Sequence, residues 1–401
     1  MDGEFVKFNK LLVIAHSYNR FQKDQIECLS SYLDSVCVLV RCNPIAEISS
    51  YIPISALDPF KLDSKIDITG KPSNIEVYPT PILYAPFDSQ YKKLGEKHFK
   101  AVGKVIKKNN INFDLVHSHF TWSSGYVGAK LKEKYDVPFI VTAHGYDIYD
   151  LPFRNEEWKE KMEYVLNAAD YVITVSNSNL ECIEKLNVET PVKVLPNGFR
   201  DDLFYPRDSN ECKKTLNLPF GKKIILTVGN LVEIKGHKYL IEAMQKVVKH
   251  RKDVLCIIVG GGNLKGKLER QIRNAGLGDH VKLVGGRPHD EILIWMNACD
   301  LFVLPSLRES FGVVQIEAMV CGRPIVATYN GGSEEIITSD DYGLLCEPAN
   351  PGELAETISI ALDKEWDCDK IREYAGQFTW ENITKKIIEI YESRICFCSN
   401  I

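Results

Sequence analysis

The chain alternates short apolar, β-branched runs with longer amphipathic stretches along most of its length. In the first half the runs are LLVIA, CVLV, LVHSH, FIVTAH, YVITVS and VKVLPN; in the second they are IILTVG, LCIIVG, VKLVGG, LFVLPS, PIVATY and GLLCEP. Continuous apolar runs of this length predict strands covered on both faces, and the amphipathic stretches between them predict crossover helices. The expected class is therefore α/β, with two doubly wound parallel sheets in series rather than one sheet of twelve strands. The seam is expected near Asn197-Gly198, where a strand ends in a turn dipeptide and an irregular, charged stretch runs on to Gly221. That places one domain over residues 1–197 and a second over 198–379, followed by a final helical stretch from Trp380 to Arg394.

Composition narrows the class without naming a function. With 401 residues, 45% hydrophobic and 26% charged, the chain can bury two sizeable cores and is too apolar for intrinsic disorder. Uninterrupted apolar runs such as Leu11 to Ala15 and Leu255 to Val259 are about a quarter of the roughly 20 residues that a bilayer core demands. The N-terminal MDGEFVKFNKLLVIAHSYN puts acidic residues ahead of a short apolar run and reads as a first strand rather than a secretory leader. A formal net charge of −5, with neither half in basic excess, argues against a nucleic-acid binder. The twelve cysteines are scattered singly apart from Cys396-Phe397-Cys398, so reduced, buried thiols in a cytoplasmic protein are the expectation. The tail pair is the one candidate for a structural or redox role.

Candidate chemistry follows from the topology, because doubly wound sheets bind ligands beyond the carboxyl ends of their strands. FIVTA runs into His144-Gly145-Tyr146-Asp147, and IILTVG runs into Asn230-Leu231-Val232-Glu233-Ile234-Lys235-Gly236. LFVLPS runs into Arg308-Glu309-Ser310-Phe311-Gly312 and then a helix carrying Glu317. With Glu309 in the loop, Glu317 falls about two turns down that helix among mostly apolar neighbours. A carboxylate there is costly to bury unless it accepts hydrogen bonds, and ligand hydroxyls are natural donors. Two surface glutamates on an exposed helix are the alternative. Lys235 precedes a helix whose free N–H groups favour anions, the setting of a phosphate corner; a solvated loop lysine is the alternative.

Taken together, HSHF at His117, VTAHGYD ending at Asp147, VLPNG ending at Gly198, VGNLVEIKGHKYLIEA from Val228 and PSLRESFGVVQIEAMVCGRPIVAT from Pro305 resemble the family 4 retaining glycosyltransferases. The last segment carries the family's two glutamates seven residues apart, with Phe-Gly placed after the first. The resemblance implies a GT-B architecture, two Rossmann-like domains facing across a cleft, with the helix 380–401 returning to the first, acceptor-side domain. It implies transfer of a sugar from a nucleotide diphosphate donor to a hydroxyl of a carbohydrate or glycolipid acceptor, in glycan, polysaccharide or glycolipid assembly. Site roles carried over are Glu309 and the backbone of Ser310, Phe311 and Gly312 on the donor sugar, Glu317 on the ribose hydroxyls, Lys235 on the departing diphosphate, His144 near the sugar's reacting face and Arg287 near the base. Two departures stand out. Asn230 replaces the arginine that usually follows the glycine of the diphosphate loop, and HSYNRFQ replaces a glycine-rich first loop. Rival enzymes of the same architecture are epimerases and phosphorylases; a catalytically weak nucleotide-binding homologue is the reading that Asn230 suggests.

Three further segments carry competing signals. GGNLKGKL at 261–268 nearly spells a P-loop, but Leu268 stands where a Mg²⁺-binding hydroxyl is needed, so the glycines are expected to form the tight turn after a buried strand. Asp367-Cys368-Asp369 spells the metal motif of the other main glycosyltransferase architecture without a strand leading into it, so no divalent metal is expected in catalysis. Tyr91 to Lys108 carries seven lysines against one glutamate and apolar residues on one helical face. It is expected to pack on the first sheet, and its lysine face is also a candidate for peripheral contact with anionic lipid.

Overall fold

The computed structural model describes residues 9–50, 60–85 and 87–393. The Cys396–Cys398 pair, Arg394 and the first eight residues lie outside the described residues, as do the side chains of Arg20 and Phe21. Each of the twelve apolar runs forms a strand, and both sheets are parallel throughout. The first contains β1 (Lys10–Ala15), β2 (Ser35–Cys42), β3 (Ile75–Pro81), β4 (Leu115–His119), β5 (Phe139–Ala143), β6 (Tyr171–Thr174) and β7 (Val192–Val194), in the order β3-β2-β1-β4-β5-β6-β7. The second contains β8 (Lys223–Val228), β9 (Val254–Val259), β10 (Val281–Gly285), β11 (Leu301–Leu304), β12 (Ile325–Thr328) and β13 (Gly343–Cys346), in the order β10-β9-β8-β11-β12-β13. Chain order reverses at β1 and β4 in one sheet and at β8 and β11 in the other, which opens a crevice at each point.

The thirteenth strand, β3, is the one the apolar runs do not predict. Its sequence IEVYPTP carries two prolines, and it lies at the edge of its sheet, where a missing N–H is tolerated. Side chains of β1 alternate between two cores, as a pleated strand covered on both faces requires. Leu12 and Ile14 join Leu39, Val116 and Val141 under the helices Leu94–Asn109, Tyr126–Tyr135 and Glu156–Ala168. Leu11 and Val13 join Val38 and Leu115 under Arg20–Ser30 and the last helix, Trp380–Ser393.

That last helix packs as an integral part of the first core. Trp380, Ile383, Ile387, Ile390 and Tyr391 are all buried and spaced at helical intervals on one face. Tyr391 also places its hydroxyl 2.6 Å from His117 Nδ1 on β4. The fold divides into two units, the chain up to Gly198 together with the helix from Trp380, and Phe199–Thr379. In the second unit, Ile225, Cys256, Ile258, Val303 and Val326 pack under the helices His237–His250 and Pro351–Asp363.

Two local expectations are corrected. The stretch after Gly198 is not wholly irregular, because Asp208 accepts a hydrogen bond from Glu211 N at 2.8 Å and caps a helix over Ser209–Thr215. The lysine-rich stretch is not one helix. A short helix Asp88–Lys92 stops at Lys93 before Leu94–Asn109 begins, and the fully buried ring on the second is that of His98, with Phe99 only partly buried. Lys92 pairs with Glu157 at 2.7 Å and Lys97 reaches Gln90 Oε1 at 3.1 Å, while Lys100, Lys104, Lys107 and Lys108 are exposed. All ten described cysteines are free thiols, with Cys368 exposed and most of the others buried. Among the described residues no helix is long and apolar enough to cross a membrane.

Truncating Ile387, which is fully buried, to alanine should cost about 2–5 kcal/mol in the unfolding transition of the first unit. Lys385→Ala, on the exposed face of the same helix, should be near neutral. Urea titration followed by hydrogen exchange of peptides from β4 checks both, and equal effects would show that the helix is not part of the core.

Candidate active site

In the second unit three loops meet at the carboxyl edge of β8, β11 and β12, which are neighbours in the sheet. After β8 the chain passes Asn230, makes a single 3-10 turn over Glu233–Lys235 and enters its helix through Gly236. Only glycine fits at 236. Its φ is +66° and a Cβ would lie 1.9 Å from the carbonyl oxygen of Pro305. This contact and the bond from Leu307 N to Ile234 O, 2.7 Å, lock the β8 loop onto the β11 loop. Glu309 N donates to Asn330 O at 2.9 Å and ties in the loop after β12.

The result is a converging polar cluster. Lys235 Nζ lies 2.6 Å from Glu309 Oε1, and Ser306 Oγ donates to the same oxygen at 2.6 Å. The Glu309 side chain is only 10% exposed, so its charge is tenable because both donors converge on it. The backbone N–H groups of Ser310, Phe311 and Gly312 find no acceptor among the described residues, and they precede the helix Val313–Val320. The Phe311 ring is buried against Phe378 at 5.8 Å, so only its backbone faces the loop chemistry.

Glu317 sits closer to this loop than expected. The loop extends to Gly312, so Glu317 is the fifth residue of the helix, about one turn in. It is buried, and His289 Nε2 meets its Oε1 at 2.9 Å. His289 opens the helix His289–Ala298 just beyond β10 and packs its ring 5.0 Å from that of Phe204. Arg287, two residues earlier, is exposed and folds its guanidinium back onto Val284 O at 3.0 Å. The Asn230 side chain is exposed, while its carbonyl oxygen accepts from His237 Nε2 at 3.2 Å.

In the first unit the carboxyl edge is lined by histidines. His144, after β5, places Nε2 3.0 Å from Nδ1 of His119 at the end of β4. His119 stacks on His117 at 4.8 Å, and His117 Nε2 meets Thr142 Oγ1 at 2.7 Å. His16, after β1, stacks on Phe120 at 4.4 Å, and the Phe120 ring lies 4.7 Å from His144. Asp147 fixes the turn below them. Its buried carboxylate accepts from Gly145 N at 2.9 Å and Thr121 N at 2.6 Å, and Gly145 takes a φ of +148° that favours glycine. Burial pushes the pKa of His144 and His117 well below the ordinary value, helped by neighbouring histidines, and pushes His119 down to about 4. His144 therefore presents a neutral imidazole at neutral pH.

With both edges described, relationship to known proteins can be read against them. Residues 208–378 match the family described as Glycosyl transferases group 1, and residues 67–203 match Glycosyltransferase Family 4. An uncharacterised glycosyltransferase of Methanocaldococcus jannaschii is 30% identical over 295 residues, 73% of this chain and 78% of that protein. The chain belongs to the family 4 glycosyltransferases. Sucrose-phosphate synthase from Thermosynechococcus elongatus superposes with a TM-score of 0.77 at 23% identity, covering 98% of this chain and all of that one. HepE of Anabaena, in complex with UDP, gives a TM-score of 0.72 at 23% identity, covering 96% of this chain and all of that one. The fold is GT-B.

For this glycosyltransferase the structure brings Lys235, Glu309 and the Ser310–Gly312 backbone into one cluster. Sequence reasoning named neither Ser306 nor His289 as site residues, and quoted His119 and Asp147 within motifs without giving them a role. All four lie at or just after strand ends, so the rule that singled out His144 points to them as well. The competing segments have ordinary roles. Lys267 of the P-loop-like stretch pairs with Glu233 at 3.0 Å on the surface. Asp367 caps the helix Cys368–Ala375 by accepting from Asp369 N and Lys370 N, and Asp369 pairs with Arg372. Arg200 pairs with Asp202.

The buried histidines make the first unit acid-sensitive. Their folded pKa values lie below the unfolded value of about 6.5, so the unfolded chain binds more protons as pH falls from there toward 4, and stability falls with it. Asp147, raised by burial, acts in the opposite sense but is one group against five. Hydrogen exchange of β4 and β5 peptides should show protection weaker at pH 5 than at pH 7, and a smaller difference over that range in His119→Gln. Uniform protection down to pH 5 would contradict the assignment.

Proposed function

We propose that this chain moves a sugar from a nucleotide diphosphate donor to a hydroxyl acceptor, with retention at the anomeric carbon and without a divalent cation. The observation that carries this is the cluster of Lys235, Ser306 and Glu309 beside the unused N–H groups of Ser310, Phe311 and Gly312. Negative charge builds on the departing diphosphate as the bond to the sugar breaks. Lys235, 27% exposed, turns from Glu309 toward the diphosphate, and preorganised N–H groups add to its effect. Glu309, relieved of part of its pairing, accepts hydrogen bonds from sugar hydroxyls. Glu317, held by His289, keeps a carboxylate oxygen for the ribose hydroxyls.

HepE is a structural relative that binds UDP, which supports a nucleotide donor. In the reaction the bond from the anomeric carbon to the phosphate oxygen breaks, and the bond to the acceptor oxygen forms on the same face. The acceptor proton passes to the departing phosphate oxygen. His144, neutral through burial, can accept a hydrogen bond from a sugar hydroxyl without adding positive charge near the developing oxocarbenium ion.

Lys235→Ala should lower turnover by on the order of 100- to 1000-fold, measured with the nucleotide sugar that gives the largest thermal shift in a donor panel. Proton NMR of the product should show the donor's anomeric configuration, and EDTA should leave the rate unchanged. Near-normal turnover of Lys235→Ala would overturn the assignment. Asn230→Arg places a cation at the exposed end of the diphosphate loop and should tighten donor binding several-fold in calorimetry.

A further inference from the structure

A second cluster at the carboxyl edge of the first sheet takes no part in the donor chemistry. Arg41 is the penultimate residue of β2 and only 6% exposed. Its Nη1 donates to Ser123 Oγ at 3.0 Å, and His98 Nδ1 lies 2.9 Å from the same hydroxyl. Lys65 reaches in from the segment before β3, with Nζ donating to Arg41 O at 2.6 Å. That segment is pinned to the end of β1, because Tyr18 N donates to Lys65 O at 2.7 Å and Asp67 N donates to Tyr18 O at 2.9 Å. Tyr84 and Tyr91 flank the guanidinium with ring centroids 5.7 and 6.0 Å away. Tyr91 is itself held through its carbonyl oxygen by Trp122 Nε1 at 2.8 Å.

The inventory is one-sided. Ser123 Oγ accepts from Arg41 Nη1 and, with a second lone pair and its own proton, can take either part toward His98 Nδ1. Arg41 Nε and His98 Nε2 are both buried with no acceptor. Among the described residues, neither Arg41 nor Lys65 forms an ion pair with a carboxylate. Burial, with Arg41 alongside, brings the Lys65 pKa down to about 7, and the same two cations depress His16 and His98 further. A guanidinium cannot shed its proton, so burying it without a counter-charge is costly. The missing partner is a ligand with several acceptor oxygens and negative charge. A phosphoryl group meets both needs, since the guanidinium fork takes two of its oxygens, and the Lys65 ammonium and the His98 imidazole in its Nε2–H tautomer take the rest.

We propose that Arg41, Lys65 and His98 form an anion subsite that takes a phosphoryl group carried by the acceptor. The anion site stands on its own geometry; assigning its phosphate to the acceptor rests on the glycosyl-transfer reading. The strand-end position is the same edge that carries His144 within this unit, so a polyol or sugar phosphate held here extends its hydroxyls along that edge.

Calorimetry with inorganic phosphate, a panel of hexose and polyol monophosphates, and the same polyols without phosphate tests the site on the full chain. At least one monophosphate is expected to bind tenfold or more tightly than both its unphosphorylated counterpart and inorganic phosphate. Arg41→Gln and Lys65→Met should each weaken that binding at least tenfold while leaving UDP affinity unchanged. In transfer assays they should raise KM for the phosphorylated acceptor more than they lower kcat. Lys65 is only half-buried, so its variant keeps the test informative if Arg41→Gln unfolds. Wild-type discrimination that persists in Lys65→Met and in a folded Arg41→Gln, or a wild type that ignores phosphate altogether, overturns the proposal. Binding of inorganic phosphate with no gain from any polyol overturns the acceptor assignment. Phosphate binding that depends on Arg41 alongside a failure to bind any nucleotide would instead sink the glycosyl-transfer reading and leave the anion site standing.

Discussion

Glu309 is a carboxylate that is nine-tenths buried at the end of a parallel strand, and its tolerance depends on Lys235 and Ser306 sharing one of its oxygens. A buried pair of this kind adds little net stability, because desolvation of both charges consumes most of the attraction. Its value is positional. For Lys235 to reach Glu309, the loop after β8 must lie against the loop after β11, which in turn requires the two strands to be sheet neighbours and Gly236 to sit directly under the carbonyl of Pro305. Sheet order, the left-handed glycine and the ion pair are therefore one constraint at three scales. A ligand anion that draws Lys235 away leaves Glu309 with an unmet need for donors, and sugar hydroxyls can supply it. Donor charge and donor sugar would then be recognised through a single exchange of partners.

Much of this architecture is legible in the sequence because a strand covered on both faces has almost no choice of residue. Twelve runs such as LCIIV and LFVL announce themselves through continuous β-branched and leucine content. IEVYPTP does not, since an edge strand covered less completely can carry Pro79 and Pro81. The start of the helix after β11 is misplaced for a related reason. SFGVVQI looks helical by composition, but Gly312 at a φ of +88° holds the loop open for one more turn, which brings Glu317 nearer the loop than residue counting suggests.

Site residues divide the same way. Lys235, Glu309 and Glu317 stand out because charge follows an apolar run in a segment rich in family-like motifs. His289 is harder to see, since it acts on a glutamate from a different strand end and only the neighbouring loops bring the two together. Arg41 is harder still. It sits inside SVCVLVRC, where a single cation at the end of an apolar strand reads as the first solvated residue. Only the fold reveals that the helix Leu94–Asn109, the Ser123 turn and the Lys65 segment close over it.

The two carboxyl edges thus have opposite electrostatic characters. The edge of the second sheet carries buried carboxylates, each held by a single cationic or imidazole partner, and it suits a ligand rich in hydroxyl donors with an anion at one end. The edge of the first sheet carries neutral imidazoles and cations with no carboxylate partner among the described residues, and it suits a ligand rich in acceptors. Neutral histidines matter to this division. If His16 and His98 ionised, the first edge would gain charge beside Arg41 and Lys65 and become more expensive to fold without a bound anion; burial holds them neutral and leaves the permanent charge to the arginine.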